Sequence, residues 1–129
     1  MRISYNRNKP NRLFREFVRQ YIDTLLWCST DDVGEPLDKN FSPSDIPLDV
    51  AKIIVRDCRK FWTEANDDIF GDASQAGHDF ALTRNWHGAG FWDADWEKEV
   101  GERLTKLSHE FGEFDLFFEC GWILRIREE

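Results

Sequence analysis

Residues Gly77–Trp96 read GHDFALTRNWHGAGFWDADW, and the assignment of the first half of this stretch decides the fold. From His78 to Asn85 the residues alternate, with Phe80 and Leu82 on one side and Asp79, Ala81 and Thr83 on the other. A period of two is the pattern of a half-buried strand, so the reading places a β-strand at 78–85. Asn85–Gly90 then makes an irregular turn. The same window concentrates reactive and aromatic groups: His78 and His87, two of the three histidines, and Trp86, Trp92 and Trp96, three of the six tryptophans.

Working outward, a helix is expected from about Asp95, with Trp96, Val100, Leu104, Leu107 and Phe111 on its buried side. Glu99 and Arg103, and Glu102 and Lys106, are i, i+4 pairs in the favourable order. Gly112 sits where a left-handed helix cap belongs. Upstream, Pro47 suits the first turn of a helix. An apolar stripe follows (Val50, Ile53, Ile54, Cys58, Phe61, Trp62, Ala65, Ile69) and predicts a helix to about Phe70. Its end is acidic, with Glu64, Asp67, Asp68 and then Asp72; carboxylates there oppose the macrodipole and do not serve helix stability.

Further out, Asn11 is a plausible N-cap for a helix carrying Leu13, Phe14, Phe17, Val18, Tyr21, Ile22, Leu25 and Leu26 at helical spacing and ending near Cys28. Residues 29–43 form a long polar loop whose acids lack the alternating spacing and closing glutamate of an EF-hand. The C-terminal residues Phe114–Arg127 alternate on both sides of Cys120-Gly121, a hairpin with that dipeptide at its turn. The expected order is α-α-β-α-β-β. This is an α+β fold, a small, mostly antiparallel three-stranded sheet packed against helices. Residues 1–10 are read as a flexible basic arm and 11–129 as one domain.

The chain of 129 residues carries a net charge of −8, which disfavours nonspecific binding to nucleic acid or to an anionic membrane. Residues 1–20 hold six bases and one acid; the other 109 hold 11 bases and 24 acids. A basic head therefore precedes an acidic body. No pair of the three cysteines (Cys28, Cys58, Cys120) has close metal-ligand spacing, and no signal-peptide or membrane-spanning run is present. Reduced thiols in a cytoplasmic protein are expected.

Three chemistries bear on the central stretch. His78, Asp79, His87 and Asp93 are ligand types for a metal, but a strand would point His78 and Asp79 to opposite faces, and no metal-binding motif is present. No metal and no cofactor are therefore expected. Gly88-Ala89-Gly90 lacks the form of a phosphate-binding loop. His87 beside the glycines, oriented by Asp79 or Asp93, leaves acid–base chemistry as an alternative. The reading assigned most weight is architectural. Arg84, Asn85 and Asp93 bond turn backbone, Trp86, Phe91, Trp92 and Trp96 wedge between sheet and helix, and Trp86 is an exposed interface anchor.

The segments TDDVGEPLD (Thr30–Asp38), AGHDFALTRNWHGAGFWD (Ala76–Asp93), RLT (Arg103–Thr105) and FGEFDLFF (Phe111–Phe118) resemble a group of small uncharacterised bacteriophage and prophage proteins. The resemblance covers most of the chain from about Leu25 to Trp122. It departs at Cys120-Gly121, where that family tends to place Asp-Gly. It implies a phage-encoded accessory protein acting in the cytoplasm of a host bacterium, and it brings no functional residues with it.

Residues 61–119 contain 14 acids and four bases. Such a surface is suited to imitating a row of phosphates, with affinity that falls with salt. The function expected is non-enzymatic: an inhibitory binding protein, in the manner of a DNA mimic, directed at a host protein with a basic nucleic-acid-binding surface. Glu64, Asp67, Asp68, Asp72, Asp93 and Asp95 are the expected interface acids, with Trp86 and His87 beside them. Two alternatives stand next to it. One is a small hydrolase- or nuclease-like enzyme using His87 with Asp79 and Asp93. The other is a virion or scaffold component that self-associates, as a homodimer for example.

Overall fold

A computed structural model describes the backbone of residues 2–31, 33–93, 95–119 and 122–126, and the side chains of 12–31, 33–65, 67–93 and 95–116. Four helices build it: α1 (Arg2–Cys28), α2 (Leu48–Ala65), α3 (Ala73–Arg84) and α4 (Lys98–Glu110). Strand structure is confined, among the described residues, to a two-stranded antiparallel ribbon, β1 (Leu116–Glu119) with β2 (Trp122–Ile126). Leu116 pairs with Ile126 and Glu119 with Trp122. The fold is all-α, and the expected α+β domain with a three-stranded sheet is corrected. The expected Cys120-Gly121 turn lies outside the described residues.

The correction originates at 78–85, which is the C-terminal part of α3 and not a strand. From Ala76 to Arg84 every residue except His78 is buried. A helix buried all round carries no polar stripe, so its 3.6-residue period cannot be read from the sequence. The local alternation of Phe80 and Leu82 with Asp79 and Thr83 was then the only visible pattern. With no strand at 78–85, the C-terminal ribbon has no third strand beside it, and the aromatic wedge packs between helices.

Helix α3 packs along α1 with backbones almost in contact. A methyl group at Gly77 would collide with the Phe17 carbonyl oxygen and lie 3.0 Å from the Tyr21 amide nitrogen. Phe61 of α2 lies on Phe80 of α3, with ring centroids 4.1 Å apart and planes 16° from parallel. Phe17 and Phe91 flank Phe61, each with its centroid at 5.8 Å. All four rings are fully buried. Burying an aromatic side chain contributes on the order of 2–3 kcal/mol, so this stack is an apolar joint shared by α1, α2, α3 and the loop after α3.

Inside this core lies one buried cation among the described residues, Arg84, and every face of it is used. Its Nη1 donates to Asp57 Oδ2 (3.1 Å) and Tyr21 Oη (3.2 Å). Its Nε donates to the Gly112 carbonyl (2.8 Å) and its Nη2 to the Phe111 carbonyl (3.1 Å). The guanidinium also stacks over the Phe80, Phe111 and Phe114 rings. Arg84 thus joins α1, α2 and α3 to the turn after α4. The sequence places Arg84 on the turn backbone of its own stretch; it bonds instead the carbonyls after α4, and Asp57 and Tyr21 are partners the sequence reading does not name. The sequence did carry a signal for Asp57: it falls three residues after Ile54 and four before Phe61, on the apolar stripe of α2.

Helix boundaries differ from expectation where charge opposes them. Helix α2 ends at Ala65, and two 3-10 turns, Asn66–Asp68 and Phe70–Asp72, replace the extension to Phe70. Asp67 and Asp68 would sit against the negative end of the dipole in a longer helix. Helix α4 starts at Lys98, and the Glu97 side chain accepts the Val100 amide at its N-terminus. Arg103 pairs with Asp68 (3.0 Å) in place of the expected Glu99. Helix α1 begins at Arg2, so the basic segment expected as a separate arm forms its first turns; the side chains there lie outside the described residues. Gly112 has φ +77°, the left-handed conformation expected for the cap of α4. No helix among the described residues is long and apolar enough to cross a membrane.

Cys28 and Cys58 carry free thiols. Cys58 is fully buried in the core, where burial holds its thiol protonated far above the usual range. Burial also pushes the Cys28 thiol up to about 11.

Candidate functional site

The site is built from the end of α3, the glycine loop after it, and α4. Helix α3 closes with a Schellman cap. The His87 amide donates to the Leu82 carbonyl (3.0 Å) and the Trp86 amide to the Thr83 carbonyl (3.2 Å). The left-handed position of this cap is normally glycine; here it is Trp86, with φ +59°. A left-handed conformation costs an L-residue with a side chain on the order of 1–2 kcal/mol. Trp86 is nevertheless 64% exposed, and its ring lies flat on His109 of α4 at 3.8 Å between centroids.

The loop then folds back onto α3. The Phe91 amide donates to Thr83 Oγ1 (3.1 Å), and the Gly90 amide to Asp93 Oδ2 (3.1 Å). Trp96 Nε1 donates to Asp79 Oδ2 (2.6 Å), which also accepts from Gln75 Nε2 (3.0 Å). Burial raises the Asp79 carboxyl above its ordinary range. The bonds from Trp96 and Gln75 and the nearby His78 act against that rise, and Asp95 adds to it. Phe91 is buried beneath the loop, while Trp92, expected in the wedge, is 46% exposed.

Loop and α4 together enclose an open cavity of about 840 Å³, with Phe91, Trp92, Asp93, Trp96, Thr105 and His109 on its wall. Two buried polar atoms here, Thr105 Oγ1 and His109 Nε2, have no hydrogen-bond partner among the described residues. Buried polar atoms are rarely left so. Lys98, Glu102, Lys106 and Glu110 alternate in sign along α4 at the rim, so the cavity mouth is balanced in charge. His109 was not singled out in the sequence, because nothing in the α4 pattern marks it; only its meeting with Trp86 does.

The expected binding residues do not gather at one place. Asp93 lines this cavity and is engaged by the loop backbone, while Trp86 lies beside it, stacked on His109. Glu64 in the last turn of α2 and Asp67 and Asp72 on the connection to α3 are exposed, with Asp68 half-buried among them and paired to Arg103. Asp95 is exposed in the loop before α4. His87 is half-buried, and no hydrogen bond joins it to Asp79 or Asp93, the carboxylates considered as its orienting partners. His78 faces α1, with its Nδ1 2.8 Å from Thr24 Oγ1. The two central histidines therefore do not form one site. Among the described residues no three His, Cys, Asp or Glu side chains gather at metal-ligand range.

No protein-family model, curated protein or solved structure matches the chain.

Proposed function

We propose that this chain is an acidic binding protein that docks on the basic, nucleic-acid-handling surface of another protein, in the manner of a DNA mimic. The observation that carries this reading is Trp86, a large aromatic side chain held in solvent at a backbone position where glycine costs less. Folding alone gives no reason to keep it there, whereas interface anchors are enriched in tryptophan. The sign of the partner comes from the surface around it. Of the four bases in residues 61–119, Arg84 is withdrawn into the core and Arg103 is tied to Asp68. Glu64, Asp67, Asp72 and Asp95 stand exposed, and none is in an ion pair among the described residues. The resemblance to bacteriophage proteins supplies the setting, inhibition of a host enzyme or defence complex inside an infected bacterium.

The test is retention of bacterial lysate proteins on the immobilised chain at about 50 mM and about 500 mM salt, a range over which surface charge is strongly screened. The expected result is a partner released by salt and displaced by duplex DNA. It should be lost from a Trp86→Ala column and weakened on a Glu64→Lys/Asp67→Lys column. A partner held equally by all columns, or no salt-sensitive partner, overturns the proposal.

A further inference from the structure

A second surface, sharing no residue with the acids or Trp86, runs between α1 and α2. It is a groove of about 830 Å³. Arg12, Arg15 and Arg19 project from α1 and Arg59 from α2, and all four are exposed. None forms an ion pair among the described residues, although the chain carries 25 acids. Glu16 is the one acid among the described residues that line the groove. Arg15 and Arg19 are four residues apart on one helix, an arrangement that destabilises the helix slightly through like charge. Arg59 is held by the Phe14 ring, 4.4 Å from its centroid, which fixes that guanidinium at the groove edge.

The floor is apolar. Val18 and Ile22 of α1 are half-buried, and Val55 of α2 is 38% exposed. Phe14 is buried, so no aromatic face is open for a nucleobase to stack on. Arginines flanking an aliphatic floor match a ligand with carboxylates on its flanks and aliphatic side chains on its underside. Arg12 to Ile22 is 11 residues of helix, ~15 Å at the helical rise, which is room for about three turns of a second helix. We infer that the α1–α2 groove is a docking site for an acidic amphipathic helix of a partner protein, with its glutamates or aspartates on Arg12, Arg15, Arg19 and Arg59 and its apolar side chains on Val18, Ile22 and Val55.

The experiment uses the whole chain and fluorescence anisotropy with synthetic probes. The first probe is a labelled helical peptide of about 14 residues with leucines on one face and glutamates on its flanks. The others are a scrambled peptide whose leucines no longer share a face, the same peptide with lysine for glutamate, and a single-stranded DNA of similar length. The first peptide should bind, about tenfold or more tighter than every other probe, and more weakly as salt rises. Arg15→Glu/Arg19→Glu and Val55→Asp should each weaken it by about tenfold while circular dichroism stays unchanged; Arg59→Glu is the substitute if either variant fails to fold. Equal binding of the scrambled peptide or the DNA would mean the groove reads charge alone, and overturns the inference. So does an absence of peptide binding, or salt-sensitive self-association of the chain that Arg15→Glu/Arg19→Glu abolishes.

Discussion

The Trp86 ring stacks on the His109 ring with centroids 3.8 Å apart and planes 12° from parallel, and this contact ties the cap of α3 to the last turn of α4. It sets two energies of similar size against each other. The stack contributes about 0.5–1.5 kcal/mol, and the left-handed backbone beneath it costs a similar amount. Trp86→Gly removes both and should leave stability within about 0.5 kcal/mol of the parent. Trp86→Ala removes the stack and keeps most of the backbone cost. Denaturant unfolding should find the glycine variant more stable than the alanine variant by about 1 kcal/mol. The reverse order would mean that the cap is not left-handed in solution.

Arg84→Met should be the most damaging single change among those considered. It leaves the Asp57 carboxylate, the Tyr21 hydroxyl and two carbonyls without their main donor. Breaking a buried pair from one side costs about 3–5 kcal/mol. Arg56 also reaches Asp57, at 3.1 Å, but its side chain is mostly exposed and replaces only part of the loss. The double variant Asp57→Leu/Arg84→Met should recover part of the stability by removing the stranded carboxylate. Urea midpoints of the two variants decide this; a double variant no better than the single places the cost elsewhere in the network.

Asp79 predicts a pH dependence. Burial raises its folded carboxyl above the unfolded value near 3.8, so the folded chain holds a proton that the unfolded chain releases. That contribution is complete below the unfolded value and is lost as pH rises through the folded one. Asp79→Asn is permanently neutral and lacks this loss. The stability of Asp79→Asn relative to the parent should therefore climb as pH rises from ~4 and level off above the folded value. Unfolding free energies measured across that range check it; a flat difference would show that Asp79 titrates as an ordinary exposed carboxylate.

Gly77→Ala tests the close approach of α3 to α1. In an isolated helix the substitution would gain about 1 kcal/mol. Here the methyl meets the Phe17 carbonyl, and separating the helices would loosen the contacts of Phe17 and Tyr21 with Phe80. Overpacking of this kind costs about 1–3 kcal/mol, so a net loss of at least about 1 kcal/mol is expected. Gly71→Ala, where nothing lies within 4 Å of the added methyl, should change thermal stability little. Equal melting temperatures for the two variants would show that α1 and α3 separate at no cost.

Amphipathic helices were legible because each has one wet face. The stripes of α1, α2 and α4 appear in the sequence at helical spacing, and Phe14, Phe17, Tyr21, Ile54, Phe61 and Leu104 fill the core as those stripes indicate. Net charge, its division between a basic head and an acidic body, and the left-handed Gly112 are likewise local properties that need no partner to be read. Helix α3 was not legible. Its neighbours bury every residue from Ala76 to Arg84 but His78, so burial erased the period that would have identified it, and the fold class was misjudged from that one element.

The remaining features exist only in three dimensions. Arg84 meets Asp57 across 27 positions and Tyr21 across 63. Trp86 meets His109, and Arg59 turns its guanidinium over Phe14. Amino-acid sequence alone specified the three amphipathic helices α1, α2 and α4, because amphipathicity is set by residues a few positions apart. Tertiary packing alone decided which buried charge found a partner, which tryptophan stayed in water and which arginines came to line one groove, because those outcomes depend on contacts between segments far apart in the chain.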